Sequence, residues 1–289
     1  MLDEIDPHRP VLIAGPTASG KSELALAIAA RAGGVIVNAD ALQVWSCWHV
    51  LTARPSAEEE TRAPHLLYGH MAPGAPYSVG HWLREVAPLL GAAERPIIVG
   101  GTGLYLSALT EGLADIPPTP AEIRAEADAI MAKAGPGPML DALDRATRSR
   151  IDTRNPVRVQ RAWEVLRSTG QGLAAWQDET GSALLPRDRA TTLLLDADRD
   201  WLADRIDRRF RRMVAEGALD EVRANLDRWD PGQLWARAIG AAELVAHLQG
   251  QTSLEDAITA AQAASRQYAK RQRSWFRGRM ANWLRITPP

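Results

Sequence analysis

Eight consecutive residues, Gly15-Pro16-Thr17-Ala18-Ser19-Gly20-Lys21-Ser22, fit the pattern G-x-x-x-x-G-K-[ST]. Glycines at the two ends of such a turn let successive backbone N–H groups point inward at an anion, and the helix behind them adds the positive end of its dipole. Lys21 supplies a point charge for phosphate oxygens, and Ser22 a hydroxyl suited to Mg2+. Only Lys21, Lys133 and Lys270 among the 34 basic residues are lysines. A chance match to the pattern is therefore expected on the order of 0.002 times. The chemistry is the binding of a phosphate or diphosphate, whether or not a nucleotide carries it. The next chemically able group is Asp40, in Asn38-Ala39-Asp40-Ala41-Leu42-Gln43, a carboxylate that could support a metal or take a proton.

These groups need elements to hold them. Val11-Leu12-Ile13-Ala14 is a short apolar run stopped by Gly15-Pro16, and the Ala/Leu-rich stretch 22–31 that follows has a helical pattern ended by Gly33-Gly34. Val35-Ile36-Val37 is a second buried-strand run that delivers Asp40, and Pro96-Ile97-Ile98-Val99 a third, ending at Gly100-Gly101. Short apolar strands alternating with helices predict an α/β fold of P-loop type, a parallel sheet flanked by helices with ligands at the strand C-terminal ends. At Ile116-Pro117-Pro118-Thr119-Pro120 the texture breaks, and a helix-rich stretch follows to about Pro186. Thr191-Thr192-Leu193-Leu194-Leu195 is strand-like again. This predicts a catalytic core of 1–114 and 187–289 interrupted by a helical insertion domain of 115–186.

The net charge of −1 over 289 residues argues on its face against a nucleic-acid partner. The average conceals an asymmetry, because residues 265–289 hold seven basic residues and no acid, leaving −8 for the rest. Ser253 and Asp256 form a [ST]-x-x-[DE] capping signature that opens a long helix predicted to run to about Arg279. At roughly 100° per residue, Arg266, Lys270, Arg273 and Arg277 fall within an arc of about 60°, with Ala257, Ala264, Tyr268 and Trp275 roughly opposite. Residues 196–213 read as a second, Arg-rich amphipathic helix. The single cysteine, Cys47, permits no internal disulfide, fits a reducing cytoplasm, and reads as a packed small residue. His65, His70 and His81 lack regular ligand spacing and read as surface or core histidines. The longest uncharged stretch, 63–83, has loop composition, so no membrane span is expected.

Taken together, these segments resemble the tRNA dimethylallyltransferase (isopentenylpyrophosphate transferase) family, which prenylates the N6 amine of the adenine 3′ of the anticodon. The resemblance rests on GPTASGKS at 15–22, NADALQVW at 38–45 with TARP at 52–55, and GGTGLYLSALTEGL at 100–113. It continues through RVQRAWEV at 158–165, IGAAEL at 239–244 and SRQYAKRQRSWFR at 265–277, so it covers nearly the whole chain. Departures are Leu42 for Met, Trp45 for Tyr, Arg54 for Lys, Leu66 for His, and Ala241-Ala242 for Tyr-Lys.

The resemblance implies that residues 15–22 and Arg124 of the insertion bind the diphosphate of dimethylallyl diphosphate, with Mg2+ on Ser22. Thr17 then reaches the oxygen between the prenyl carbon and phosphate, and Asp40 is the base that takes the proton of the adenine amine. It implies an anticodon stem-loop partner, contacted by Asp40, Ala41, Leu42, Gln43 and Thr102. In the insertion the contacts are Gln160, Arg161, Ala162, Trp163 and Glu164, and the stripe Arg266, Lys270, Arg273 and Arg277 tracks RNA phosphates. Gln43 offers a donor and an acceptor for the edge of a flipped base. A monomer is expected. Prenylation of free AMP, ADP or ATP, a small-metabolite kinase, and a non-catalytic RNA-binding module are the competing readings.

Overall fold

The computed structural model describes residues 5–288. The chain up to Thr110 together with that from Leu184 onward forms one compact unit, and Glu111–Ala183 form a second. In chain order the elements begin with β1 (Val11–Ala14), α1 (Lys21–Ala32), β2 (Val35–Asn38), α2 (Ala57–Arg62) and β3 (His65–Leu66). Next come α3 (Val79–Val86), β4 (Pro96–Gly100) and α4 (Gly103–Glu111). The second unit is helical: α5 (Ala121–Ala134), α6 (Gly137–Ala142), α7 (Arg145–Arg150), α8 (Pro156–Thr169) and α9 (Leu173–Asp178). The first unit resumes with β5 (Thr191–Leu195), α10 (Arg199–Ala215), α11 (Ala218–Ala224), α12 (Ala241–Leu248), α13 (Leu254–Arg279) and β6 (Leu284–Ile286).

Among the described residues six strands form one sheet, in the order β3-β2-β4-β1-β5-β6, and every neighbouring pair is parallel. A parallel sheet is covered on both faces, which is why its strands are continuous apolar runs rather than alternating ones. The side chains divide by strand periodicity. Val11, Ile13, Ile36, Ile97 and Leu193 pack against Ala25, Leu26 and Ile28 of α1. Leu12, Val35, Val37, Ile98 and Leu194 face a larger cluster built with Trp45, Trp48, Trp82, Leu106 and Phe276. As expected, β5 rejoins beside β1, with Val11 opposite Thr191 and Ala14 opposite Leu194. The short edge strands β3 and β6 have no comparable apolar run and escaped the sequence reading.

Asp198 caps α10 by accepting from the N–H groups of Asp200 and Trp201, and Ser253 caps α13 by accepting from Asp256 N–H at 3.1 Å. The buried face of α13 runs through Ala257, Ala261, Gln262, Ser265, Ala269, Gln272 and Phe276. It is wider and more polar than the predicted apolar back; Tyr268 and Trp275 stand only half-buried beside it. Phe276 and Trp283 are core residues.

The second unit has its own core of Ala127, Met139, Leu143, Val159, Ala162 and Trp163. The break at Ile116-Pro117-Pro118 lies just inside its start. Asn155 caps α8 ahead of Pro156, and Gly170, at φ 73, ends it. The described helices include none long and apolar enough to cross a membrane.

Candidate active site

The turn after β1 is built from left-handed backbone at Ala18 (φ 61) and Gly20 (φ 91), which leads directly into α1. Lys21 reaches back, its Nζ donating to Pro16 O at 2.7 Å. Burial lowers the Lys21 pKa to about 8; the Asp40 carboxylate opposes that shift and the Arg209 guanidinium reinforces it. An anion seated in the turn restores the charged form. Thr17 N–H is turned away from the cradle and donates to Gln272 Oε1 at 2.8 Å.

Asp40 is fixed by its own strand end. Its N–H donates to Asn38 Oδ1 at 2.8 Å, while Asn38 Nδ2 donates to the carbonyls of Asp40 and Leu67, both at 3.0 Å. The Trp82 indole closes this knot from below by donating to Asn38 O at 2.7 Å. Asp40 Oδ1 accepts from Leu42 N–H at 3.0 Å, which leaves Oδ2 as the oxygen available to take a proton. The second loop of the site follows β4. Gly100 and Gly101 are required there because a Cβ at Gly100 would collide with the Ala39 backbone, and one at Gly101 with the Gln272 amide. Gln272 donates from Nε2 to Gly101 O at 2.9 Å, so one buried amide ties the phosphate turn to the loop beside Asp40.

A cavity of about 850 Å³ joins these parts. Thr17, Ser19, Lys21, Ser22, Asp40, Gln43 and Arg54 line it from the sheet side, and Arg205, Arg208, Arg209 and Arg212 line it from α10. Arg209 interacts electrostatically with both Lys21 and Asp40. Neither Arg209 nor Gln272 was singled out from the sequence. The Arg-rich periodicity of α10 and the polar residues on the inner face of α13 were the available signals.

Several expected contacts take a different form. Both amide hydrogens of Gln43 are spent on Thr52 O (3.0 Å) and Ala53 O (2.7 Å), so only its Oε1 remains for a ligand. They hold Ala53 in a left-handed conformation, φ 49. The Thr102 hydroxyl accepts from Ala41 N–H at 2.9 Å. On the C-terminal helix, Arg266 pairs with Asp207, whereas Lys270 and Arg277 are exposed and Arg273 is half-buried. In the helical unit, Ala162 and Trp163 lie in the core and Glu164 is 1% exposed. Arg124 Nε meets Glu164 Oε1 at 3.0 Å and Gln160 Nε2 donates to the same oxygen at 3.0 Å. Arg161 donates to Thr119 Oγ1 at 2.6 Å. These residues form an internal polar network around one buried carboxylate, and Gln160 and Arg161 keep some exposure.

One clamp had no sequence signal. Glu221 accepts from three successive N–H groups, those of His49 (2.6 Å), Val50 (2.8 Å) and Leu51 (2.9 Å), and so pins the loop carrying Thr52 to Arg54. Burial pushes the Cys47 thiol up to about 11, which keeps it protonated and unreactive. His65, His70 and His81 have separate partners: Ala63 O, Glu85 and Ser78.

Fold and cavity together define an α/β protein whose first strand, turn and helix are shaped to hold an anion, with a carboxylate beside it at the sheet's C-terminal edge. A family model described as IPP transferase matches residues 43–279, and one described as isopentenyl transferase matches residues 9–70. A tRNA dimethylallyltransferase of Cereibacter sphaeroides is 62% identical over 288 residues, covering 100% of this chain and 92% of its own. That of Paracoccus denitrificans is 62% identical over 289 residues, covering 98% and 96%. Among solved structures, the tRNA isopentenylpyrophosphate transferase of Bacillus halodurans superposes with a TM-score of 0.68 at 32% identity, over 97% of this chain and 90% of that one. A eukaryotic dimethylallyltransferase acting on tRNA shares the fold, with a TM-score of 0.77 at 24% identity over 96% and 73% of the two chains. The chain belongs to the IPP transferase family.

Proposed function

We propose that this protein transfers a dimethylallyl group from dimethylallyl diphosphate to the N6 amine of the adenine 3′ of the anticodon in tRNA. The observation that carries the reading is one cavity holding both an anion cradle, with Lys21 and Arg209, and the carboxylate of Asp40. The reaction needs both. A bond forms between N6 and the first prenyl carbon while that carbon's bond to oxygen breaks, and the diphosphate leaves with the electron pair. The N6 proton passes to Asp40 Oδ2. Charge growing on the leaving group meets Lys21, Arg209 and those N–H groups of the turn not already spent on Gln272 and Pro16, and Thr17 lines the same cavity.

Ser22 opens α1 at the cavity wall, and its hydroxyl is the kind of hard oxygen that Mg2+ takes together with substrate phosphate oxygens. Mg2+ bound there supplies further neutralisation of the diphosphate. The described residues contain no group of three or more His, Cys, Asp or Glu arranged to hold a metal by themselves. A tRNA acceptor and a single protonated cysteine fit a cytoplasmic enzyme.

Incubation with labelled dimethylallyl diphosphate and Mg2+, offering unmodified tRNA and AMP in parallel, tests the reading. Label in tRNA supports it. Label in AMP alone, or in neither, overturns it.

A further inference from the structure

The turn between β2 and α2 is held from outside. Arg54 N–H returns to His49 O at 3.0 Å and Ala53 N–H to Val50 O at 2.9 Å, while the N–H groups of His49, Val50 and Leu51 find no partner within the turn. Glu221 of α11 takes all three, Oε1 accepting from His49 and Val50 and Oε2 from Leu51. Asn225, which ends α11, adds a donor to Cys47 O at 3.3 Å. The turn's own side chains offer no substitute grip, since the buried Thr52 Oγ1 and Arg54 Nε have no partner among the described residues.

The next carbonyls along the turn, those of Thr52 and Ala53, are the two that receive the Gln43 amide. Two carbonyls can be met only by the NH2 end of an amide, so the end left for a ligand is Oε1. Gln43 lines the cavity with Asp40, and its own N–H donates to Asp40 O at 3.2 Å, which fixes the two residues to each other.

We infer that Glu221 is a positioning residue for the acceptor base: by gripping residues 49–51 it holds the Thr52 and Ala53 carbonyls in place and commits Gln43 to showing a bound purine an acceptor oxygen. The inference rests on the prenyl-transfer reading and adds a specificity to it. The amine at C6 of adenine carries two hydrogens, which suit two acceptors, Asp40 Oδ2 and Gln43 Oε1. A purine with a carbonyl at C6 brings a third oxygen against those two and is rejected. A Gln43 free to turn over would offer that carbonyl its NH2, so the discrimination depends on the turn and on the carboxylate that grips it. A carboxylate suits the task because both its oxygens only accept; an amide at 221 would set its NH2 against at least one of the three N–H groups.

The test measures the affinity of two anticodon stem-loop RNAs, identical except for adenine or hypoxanthine at the target position, for the wild type, Glu221→Ala, Gln43→Ala and the double variant. Thermal melts establish that each folds, and hydrogen exchange reads the turn directly. The wild type is expected to prefer the adenine loop by roughly three- to tenfold, the size of one net hydrogen bond. In Glu221→Ala the amides of 49–51 should exchange about tenfold faster or more, and the preference should fall to within about twofold. The double variant should lose no more than Gln43→Ala alone, because the two residues act in series. Inhibition by inorganic pyrophosphate should stay within about twofold throughout, since the cradle lies outside the turn; a role in stability alone would lower the melting temperature and leave the preference intact. A wild type without the preference, or a folded Glu221→Ala that keeps it or whose 49–51 amides exchange no faster, overturns the positioning role while prenyl transfer to the adenine loop continues. A wild type that transfers no dimethylallyl group to the adenine loop overturns the functional reading, and the positioning role with it.

Discussion

Asp40 and Lys21 do separable work, and each leaves its own signature. Asp40→Asn keeps the size of the side chain but removes the proton acceptor, so transfer is expected to fall by about 10²- to 10⁴-fold. Inhibition by inorganic pyrophosphate should survive, and the pairing of single-turnover rate with inhibition constant checks this. Lys21 binds its proton less tightly in the folded chain, with a pKa near 8 instead of the ordinary 10.5. Across that window the unfolded chain keeps a proton the folded chain has released, so the unliganded protein should gain stability as pH rises, and carry the full cost of the buried ammonium below it. Urea melts at several pH values measure the rise, and Lys21→Met should abolish it. In turnover the sign reverses: kcat/KM for the prenyl donor should decline above about pH 8, as the neutral amine loses its hold on diphosphate. Both residues were legible because the turn and the strand end place them by covalent spacing alone. Arg209 and Gln272 were not, since each reaches the cavity only after α10 and α13 have packed.

At the level of elements, α13 does more than carry charge outward. Its Gln272 satisfies Thr17 N–H and Gly101 O together, so Gln272→Ala leaves two interior polar groups unpaired. The expected loss is about 1–3 kcal/mol, measurable by urea melts, with a raised KM for the prenyl donor as the phosphate turn loosens. The start of α13 could be read from Ser253 and Asp256, because a cap is a local hydrogen bond. Which arginines stay open could not, because Arg266 finds Asp207 on α10, some sixty positions earlier in the chain. The Glu221 clamp was equally invisible: nothing in a single acidic residue of α11 announces that three N–H groups of a distant loop will converge on it.

For the whole molecule, net charge was a poor guide and its distribution a better one. Lys270→Gln with Arg277→Gln should weaken tRNA binding and flatten its dependence on salt by about 0.7–0.9 per charge removed, whereas Arg266→Gln should change the slope less, its charge already answered by Asp207. Filter binding across a salt series checks both. The division into two units could be seen in the proline-rich break and the helical composition beyond it, and the sheet in its apolar runs. The side-chain placement within 160–164 could not, because the helix turns its Ala162 and Trp163 into its own core. The double grip of Gln272 has one more result. The turn it holds is the proposed anion cradle and the loop it holds stands beside Asp40, so one amide touches both sides of the site. Linkage then demands reciprocity: by whatever factor a bound prenyl donor tightens the hold on the flipped adenine, the adenine tightens the hold on the donor. The order of arrival changes the path to the ternary complex but leaves its stability untouched.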